Sequence, residues 1–257
     1  MKALLRDRIL SAGIVVGTFV KIPALPVIDI LATLGYDFVI IDMEHSCIET
    51  RDAEGMIATA DAAGMGTIIR VPDNQDHIVI KTLDMGCDGV QAPMIENVED
   101  ARKLVKASKY HPAGNRSISF ATRSARYGTV PRSEYIQSSN ANQVVIAQLE
   151  SWSAVEQADA IAAIDGIDIL FVGPADLSQS LGIPGQSADP TVVDGIRRVG
   201  EAAARHGKIL GTHVIKQEDV RPLVDSGVTY LVYGTDVGFF RNGAQHAIES
   251  IRTSLQK

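Results

Sequence analysis

Glu150 and Asp176 stand just beyond two consecutive apolar runs, residues 144–149 and 169–172. Two carboxylates with otherwise neutral neighbours suit an oxygen-rich site for Mg²⁺, Mn²⁺ or a similar divalent ion, with water and substrate oxygens completing the coordination. The same pair could instead cap helices or close salt bridges at strand ends. A second group lies in Ile41-Asp42-Met43-Glu44-His45. A carboxylate near an imidazole can orient the ring and raise its basicity, which makes His45 a candidate general base. Arg70 ends a third apolar run, where an unpaired guanidinium would be costly. Its partner is Asp42, Glu44 or a bound carboxylate. Gly173-Pro174-Ala175-Asp176 carries little side-chain bulk and could present backbone N–H groups to a substrate carboxylate, or form a tight turn with no ligand. Lys21 could form a Schiff base; beside two well-placed carboxylates it reads better as a substrate-facing cation or a loop charge. His213 reads as a pocket-lining residue, and Asp84 as either a catalytic carboxylate or a helix-surface or interface charge.

These groups need elements to position them. Eight short β-branched runs cover 15–20, 38–43, 67–71, 89–92, 144–149, 169–172, 209–213 and 230–233. They are nearly continuous rather than alternating, the pattern of parallel strands buried on both faces. Helical patterns lie between them at 26–34, 50–63, 77–85, 98–108, 153–163, 190–206 and 217–226. Several stop at a glycine, as at Gly35, Gly64 and Gly86. Strands alternating with helices predict an α/β protein with a parallel sheet, and eight units predict one (β/α)₈ barrel over residues 1–257. An open doubly wound sheet is the competing architecture. In such a barrel the C-terminal strand ends carry the chemistry. Lys21, Asp42 with His45, Arg70, Glu150, Asp176, His213 and Asp236 then converge on one face.

Residues 110–143 break the rhythm and exceed an ordinary connection. They hold Arg116, Arg123 and Arg126. This segment is expected after the fourth strand, on the active-site side or beside a subunit interface, or else as a solvated loop.

A net charge of −7 disfavours nucleic acid and anionic membrane as partners. Cys47 and Cys87 show no CxxC spacing and read as reduced thiols. The opening residues mix charge into apolar positions, unlike a secretory signal, and no apolar run approaches the ~18 residues of a membrane span. A cytoplasmic protein is expected.

Taken together, Phe38-Val-Ile-Ile-Asp-Met-Glu-His45, Ile69-Arg70-Val-Pro, Leu83-Asp84-Met-Gly-Cys-Asp-Gly89, Pro112-Ala-Gly-Asn-Arg116, Gln148-Leu-Glu150 and Val172-Gly-Pro-Ala-Asp-Leu177 resemble the HpcH/HpaI aldolase family, the metal-dependent class II pyruvate aldolases. The resemblance implies a (β/α)₈ barrel of the phosphoenolpyruvate/pyruvate type. It also implies a homo-oligomer, a hexamer or trimer of dimers, with the last helix packing on a neighbour. Glu150 and Asp176 would hold Mg²⁺, Mn²⁺ or Co²⁺. Arg70 would bind the oxo-acid oxygens and stabilise the enolate, and His45, supported by Asp42, would move the proton through a water. Asp84 matches a position near the site and the subunit contact. The backbone of Gly173, Pro174, Ala175 and Asp176 would receive the pyruvate carboxylate. The implied reaction is reversible cleavage of a 4-hydroxy-2-oxo acid to pyruvate, or a close 2-oxo acid, and an aldehyde. Ser117 replaces a glycine common in the family, and the segment around Lys21 differs from its best-known branch. Two alternatives remain: a condensing enzyme using the same enolate, such as a citrate-forming synthase, and a non-catalytic metabolite-binding barrel. The presence of Glu150, Asp176, Arg70 and His45 together argues against the latter.

Overall fold

Apolar runs without a polar face must be covered on both sides, and the chain does this by rolling them into a ring. The computed structural model describes residues 5–11 and 13–255; residues 1–4, 12 and 256–257, which the predicted domain also spans, lie outside them. The strands are β1 (Val15–Val20), β2 (Phe38–Asp42), β3 (Gly66–Arg70), β4 (Gly89–Ala92), β5 (Val144–Leu149), β6 (Ile169–Val172), β7 (Ile209–Val214) and β8 (Val228–Thr235). They pair in sequence order, all parallel, and β8 closes on β1. Helices fill the connections: α1 (Leu5–Ser11), α2 (Leu25–Thr33), α3 (Thr50–Ala63), α4 (Asp76–Asp84), α5 (Val98–Ser108), α6 (Arg132–Asn142), α7 (Trp152–Glu156), α8 (Ala158–Ala162), α9 (Pro174–Ser180), α10 (Pro190–Arg205), α11 (Val220–Asp225) and α12 (Asp236–Leu255). The architecture is a (β/α)₈ barrel. The helix expected over 153–163 is two short ones, because Gln157 leaves helical geometry at φ −96°, ψ 3°. Among the described residues no helix is long and apolar enough to cross a membrane.

Side chains alternate across each strand, so the barrel has two cores. Val39, Ile41, Ile69, Val90, Val145 and Leu170 face outward and pack beneath the helices. Phe19, Phe38, Ile40, Ile68, Ile146, Phe171 and Tyr230 face inward and fill the barrel. Gly17 admits this filling: a Cβ there would come within 2.3 Å of the Phe38 ring, which stacks on Tyr230 at 4.3 Å between centroids. Helix α1 plugs the N-terminal end with Leu5 and Ile9.

A repeated Gly-x-Asp precedes every other strand from β2 to β6. Asp37, Asp88 and Asp168 accept the backbone N–H groups of Val16, Thr67 and Val145, one strand earlier, at 2.9, 2.8 and 2.9 Å. Arg6 and Arg8 of α1 pair with Asp168 and Asp37, so the plug is tied to the same carboxylates.

The position of residues 110–143 corrects one expectation. Helix α5 separates them from β4 and returns the chain to the N-terminal strand ends, so the excursion lies at the end opposite the strand C-termini. It packs on itself around Tyr110, Ala125 and Tyr135. Arg116 is buried there, donating to Asp84 at 2.6 Å and to Gln143 at 2.8 Å, with Tyr110 beneath it. Arg123 pairs with Asp61 at 2.8 Å.

Candidate active site

Following the inward side of β2 to β5 toward the strand C-termini, apolar residues give way to polar ones. Ile40 is followed inward by Asp42, Ile68 by Arg70, Gly89 by Gln91, and Ile146 by Gln148. The register sets Asp42 beside Arg70, and Arg70 beside Gln91. Period two thus delivers a ring of polar groups to the mouth of an apolar barrel.

Asp42 and Arg70 form its firmest part. Arg70 Nε and Nη2 donate to the two Asp42 oxygens at 2.9 and 2.7 Å, a parallel fork in a fully buried carboxylate. Asp42 Oδ1 also accepts the backbone N–H groups of Glu44 and His45 at 3.1 and 3.2 Å, which shapes the turn after β2. Burial alone would raise the Asp42 pKa. The bonds and charge of Arg70, the His45 N–H and the charge of Lys21 outweigh it and hold the carboxyl below its ordinary value. Arg70 lies over the Phe19 ring at 4.6 Å, and its Nη1 stands 3.1 Å from Glu44 Oε2. Burial pushes the Glu44 carboxyl up, against the pull of Arg70 and His45.

The His45 ring is exposed, with Nε2 3.7 Å from Glu44 Oε1. The Asp42 carboxylate therefore holds the His45 backbone N–H and not the His45 ring, and is otherwise committed to Arg70. Lys21 Nζ stands 3.1 Å from Asp42 Oδ2 and 3.4 Å from the His45 carbonyl. His213 Nε2 lies 3.2 Å from the Gly234 carbonyl, so this nitrogen carries the proton. Its ring meets the edge of Phe19 at 5.4 Å. Burial, then the charges of Arg70 and Lys21, lower the His213 pKa despite that hydrogen bond.

Glu150 is nearly buried. Its Oε1 accepts the Met94 N–H at 2.7 Å, and its Oε2 accepts Gln148 Nε2. Gln148 in turn accepts from Gln91 at 2.5 Å. Met94 adopts φ 51°, an uncommon value for a residue with a side chain, in the turn that aims its N–H at Glu150. Burial raises the Glu150 pKa, and the nearby charge of Asp176 adds to this against the two hydrogen bonds and Arg70. Asp176 lies exposed in the first turn of α9. The N–H groups of Ala175 and Asp176 belong to that turn, where no carbonyl of the helix reaches them. Gly173 leaves room beside Glu150; a Cβ there would come within 3.1 Å of Oε2.

This arrangement fits a divalent cation. The donors are hard oxygens, a side chain is missing where it would crowd them, and the charged form of Glu150 is penalised until a cation compensates it. Among the described residues no group of three or more His, Cys, Asp or Glu side chains forms a closed cage. A pair of carboxylates leaves the remaining positions to water and substrate oxygens, as a catalytic ion requires.

Asp84 is not brought to this mouth within one chain. It ends α4, five residues before β4 begins, and pairs with Arg116 at the opposite end of the barrel. Phe19 and Gln148, on the other hand, belong to the site without having been assigned roles from the sequence, whereas Glu44 stands where it was named as a partner of Arg70. Continuing the period-two inward face by one more step would have found Gln148, and Phe19 by the same count on β1.

A model of the HpcH/HpaI aldolase/citrate lyase family matches residues 16–243. A 5-keto-4-deoxy-D-glucarate aldolase of Enterobacter sp. (strain 638) is 34% identical over 224 residues, 87% of each chain. One from Salmonella arizonae is 32% identical over the same share. Among solved structures, the HpcH/HpaI aldolase of Desulfitobacterium hafniense DCB-2 superposes with a TM-score of 0.92, at 30% identity and 97% coverage of both chains. The citrate synthase SbnG superposes with a TM-score of 0.91, at 32% identity and 99% coverage of both.

Proposed function

The chain belongs to the HpcH/HpaI aldolase/citrate lyase family, and from that premise we propose that it is a metal-dependent carbon–carbon lyase acting at the barrel mouth. It reversibly cleaves a 4-hydroxy-2-oxo acid to pyruvate, or a close 2-oxo acid, and an aldehyde. The observation that carries this reading is the Glu150–Asp176 pair, set beside the open space at Gly173 and facing an anchored Arg70. An ion held by Glu150 and Asp176, Mg²⁺, Mn²⁺ or Co²⁺, would supply Lewis-acid polarisation of the ketone oxygen.

The protein's own groups do the rest. The first-turn N–H groups of Ala175 and Asp176, following Gly173 and Pro174, receive the substrate carboxylate. His45 takes the proton of the C4 hydroxyl, directly or through a water. The C3–C4 bond breaks, the aldehyde leaves, and the electron pair becomes a pyruvate enolate. Arg70 has five N–H donors, of which two bind Asp42 and one faces Glu44. The remainder stabilise the enolate oxygen, and Asp42 keeps the fork from turning. A proton delivered to C3 gives pyruvate. These steps use nothing from the N-terminal end of the barrel, so Asp84 enters only through a subunit contact.

Self-association is part of this reading. Helix α12 exposes Phe240, Ile248, Ile251 and Leu255. Their spacing of eight, three and four residues sets them along one side of the helix, which suits a second copy of the chain. A cytoplasmic location also belongs to it, supported by Cys47 and Cys87 standing as free thiols.

The test is pyruvate release from 4-hydroxy-2-oxo acids by chelator-stripped protein, read through lactate dehydrogenase, with and without added Mg²⁺, Mn²⁺ or Co²⁺. Release is expected only with metal, and Glu150→Ala and Asp176→Ala are expected to lose at least about 10²-fold while melting cooperatively. Full activity of either variant after metal is restored would overturn the ligand assignment. A second reading, a condensing enzyme using the same enolate, is favoured by the likeness to citrate synthase SbnG. Screening oxaloacetate and acyl-CoA compounds against aldehydes separates the two.

A further inference from the structure

We infer that Lys21 is a specificity-determining cation, one that receives a carboxylate carried on the aldehyde half of the substrate. The inference rests on the 2-oxo acid reading above and concerns the other end of the same molecule.

Placement comes first. Strands β1 and β5 lie four apart in a closed ring of eight. Lys21, just after β1, therefore stands across the mouth from Glu150, just after β5. A substrate whose 2-oxo acid head is held at Glu150 and Asp176 and whose C4 hydroxyl reaches His45 already points toward β1 and β2. Its remaining carbons arrive beside Lys21.

Availability comes second. A carboxylate offers about four lone-pair directions. Asp42 Oδ1 accepts from Arg70 Nε and from the backbone N–H groups of Glu44 and His45, and Oδ2 accepts from Arg70 Nη2, so the carboxylate is held without Lys21. Lys21 Nζ stands 3.1 Å from Asp42 Oδ2 as an ion-pair contact, and its hydrogen bond to the His45 carbonyl is long, at 3.4 Å. An ammonium has three donors, and this one is a quarter exposed at the mouth. Arg70 is not equivalent: its donors are divided among Asp42, Glu44 and the enolate oxygen, and its side chain is only 8% exposed.

Rigidity comes third. The backbone N–H groups of Lys21 and Ile22 donate to the two oxygens of buried Asp236 at 3.0 and 2.9 Å. The stem is thus anchored while the ammonium is only loosely held, which suits a side chain that turns from Asp42 toward an arriving anion.

The test uses two six-carbon 2-oxo acids that lack the C4 hydroxyl and so cannot be cleaved: 2-oxoadipate, with a distal carboxylate, and 2-oxohexanoate, without one. Their dissociation constants are measured by titration calorimetry on full-length protein supplied with Mg²⁺, for the wild type, Lys21→Met and Lys21→Arg. The wild type is expected to prefer 2-oxoadipate by at least about 10-fold, as a charge-assisted hydrogen bond would give. Lys21→Met should bring the ratio near one, and Lys21→Arg should restore most of it. A preference that survives in Lys21→Met overturns the inference. So does a wild type without preference, or an equal loss for both ligands, which would make Lys21 a counter-ion of Asp42. Failure of the wild type to bind either compound overturns the 2-oxo acid reading itself, and the inference with it.

Discussion

Asp42 ties the turn after β2 to the guanidinium of the proposed chemistry through a single carboxylate. It receives the Arg70 fork and two backbone N–H groups while fully buried. Replacing it by Asn should strand Arg70 with Glu44 as its remaining anion. The expected cost at pH 7 lies toward the lower end of the ~3–5 kcal/mol typical of a broken buried pair. The pH dependence has a definite sign. Because the folded Asp42 pKa is lowered, its contribution is complete above the unfolded value of about 4 and is lost as pH falls through the folded value. Urea unfolding of wild type and Asp42→Asn should therefore diverge most at neutral pH and converge in acid. A gap that widens in acid would contradict this account. Glu150 has the opposite sign: its raised pKa makes the charged carboxylate a liability as pH rises. That liability is what a bound cation would remove.

At the scale of elements, the barrel is closed by a repeated device. The Gly-x-Asp turns before β2, β4 and β6 each hand a carboxylate back to the preceding strand. Asp168 does this for Val145 and also holds Arg6 of α1. Its replacement by Ala leaves a strand N–H without an acceptor and loosens the plug. The expected loss is about 1–3 kcal/mol, read as a lower urea midpoint at unchanged m. Because this device lies at the end of the barrel away from Glu150, kcat for pyruvate release should stay close to that of the wild type. A large fall in kcat at full folding would show that the two ends are coupled.

At the scale of the whole molecule, the outstanding feature is α12, twenty residues long and largely exposed. Apolar side chains left in water along one side of a helix are expected to find a partner surface. Phe240→Asp combined with Ile251→Asp should shift sedimentation toward a smaller species while the barrel still melts cooperatively. An unchanged assembly would place the subunit contact elsewhere. Asp236, which begins α12, also anchors the Lys21 backbone. Assembly through α12 and the geometry of the mouth are therefore mechanically adjacent.

Much of this protein follows from local pattern alone. Continuous β-branched runs such as Val-Val-Ile-Ala-Gln-Leu at β5 call for cover on both faces, and their alternation with helices predicts a parallel sheet, whose closure into a barrel the pairing of β8 with β1 decides. Because catalytic groups of such a barrel sit at strand C-termini, Asp42, Arg70, Glu150 and Asp176 could be picked out as candidates by counting. What counting could not do was assign partners. The place of Asp84 five residues before β4 is no guide to where its side chain points; only the return of α5 brings Arg116 to it at the far end, in one ion pair with a buried guanidinium. Nor could spacing decide that Asp42 belongs to Arg70 rather than to the His45 ring, since that depends on strand register across β2 and β3. Periodicity is a property of neighbours along the chain, whereas pairing is a property of neighbours in space.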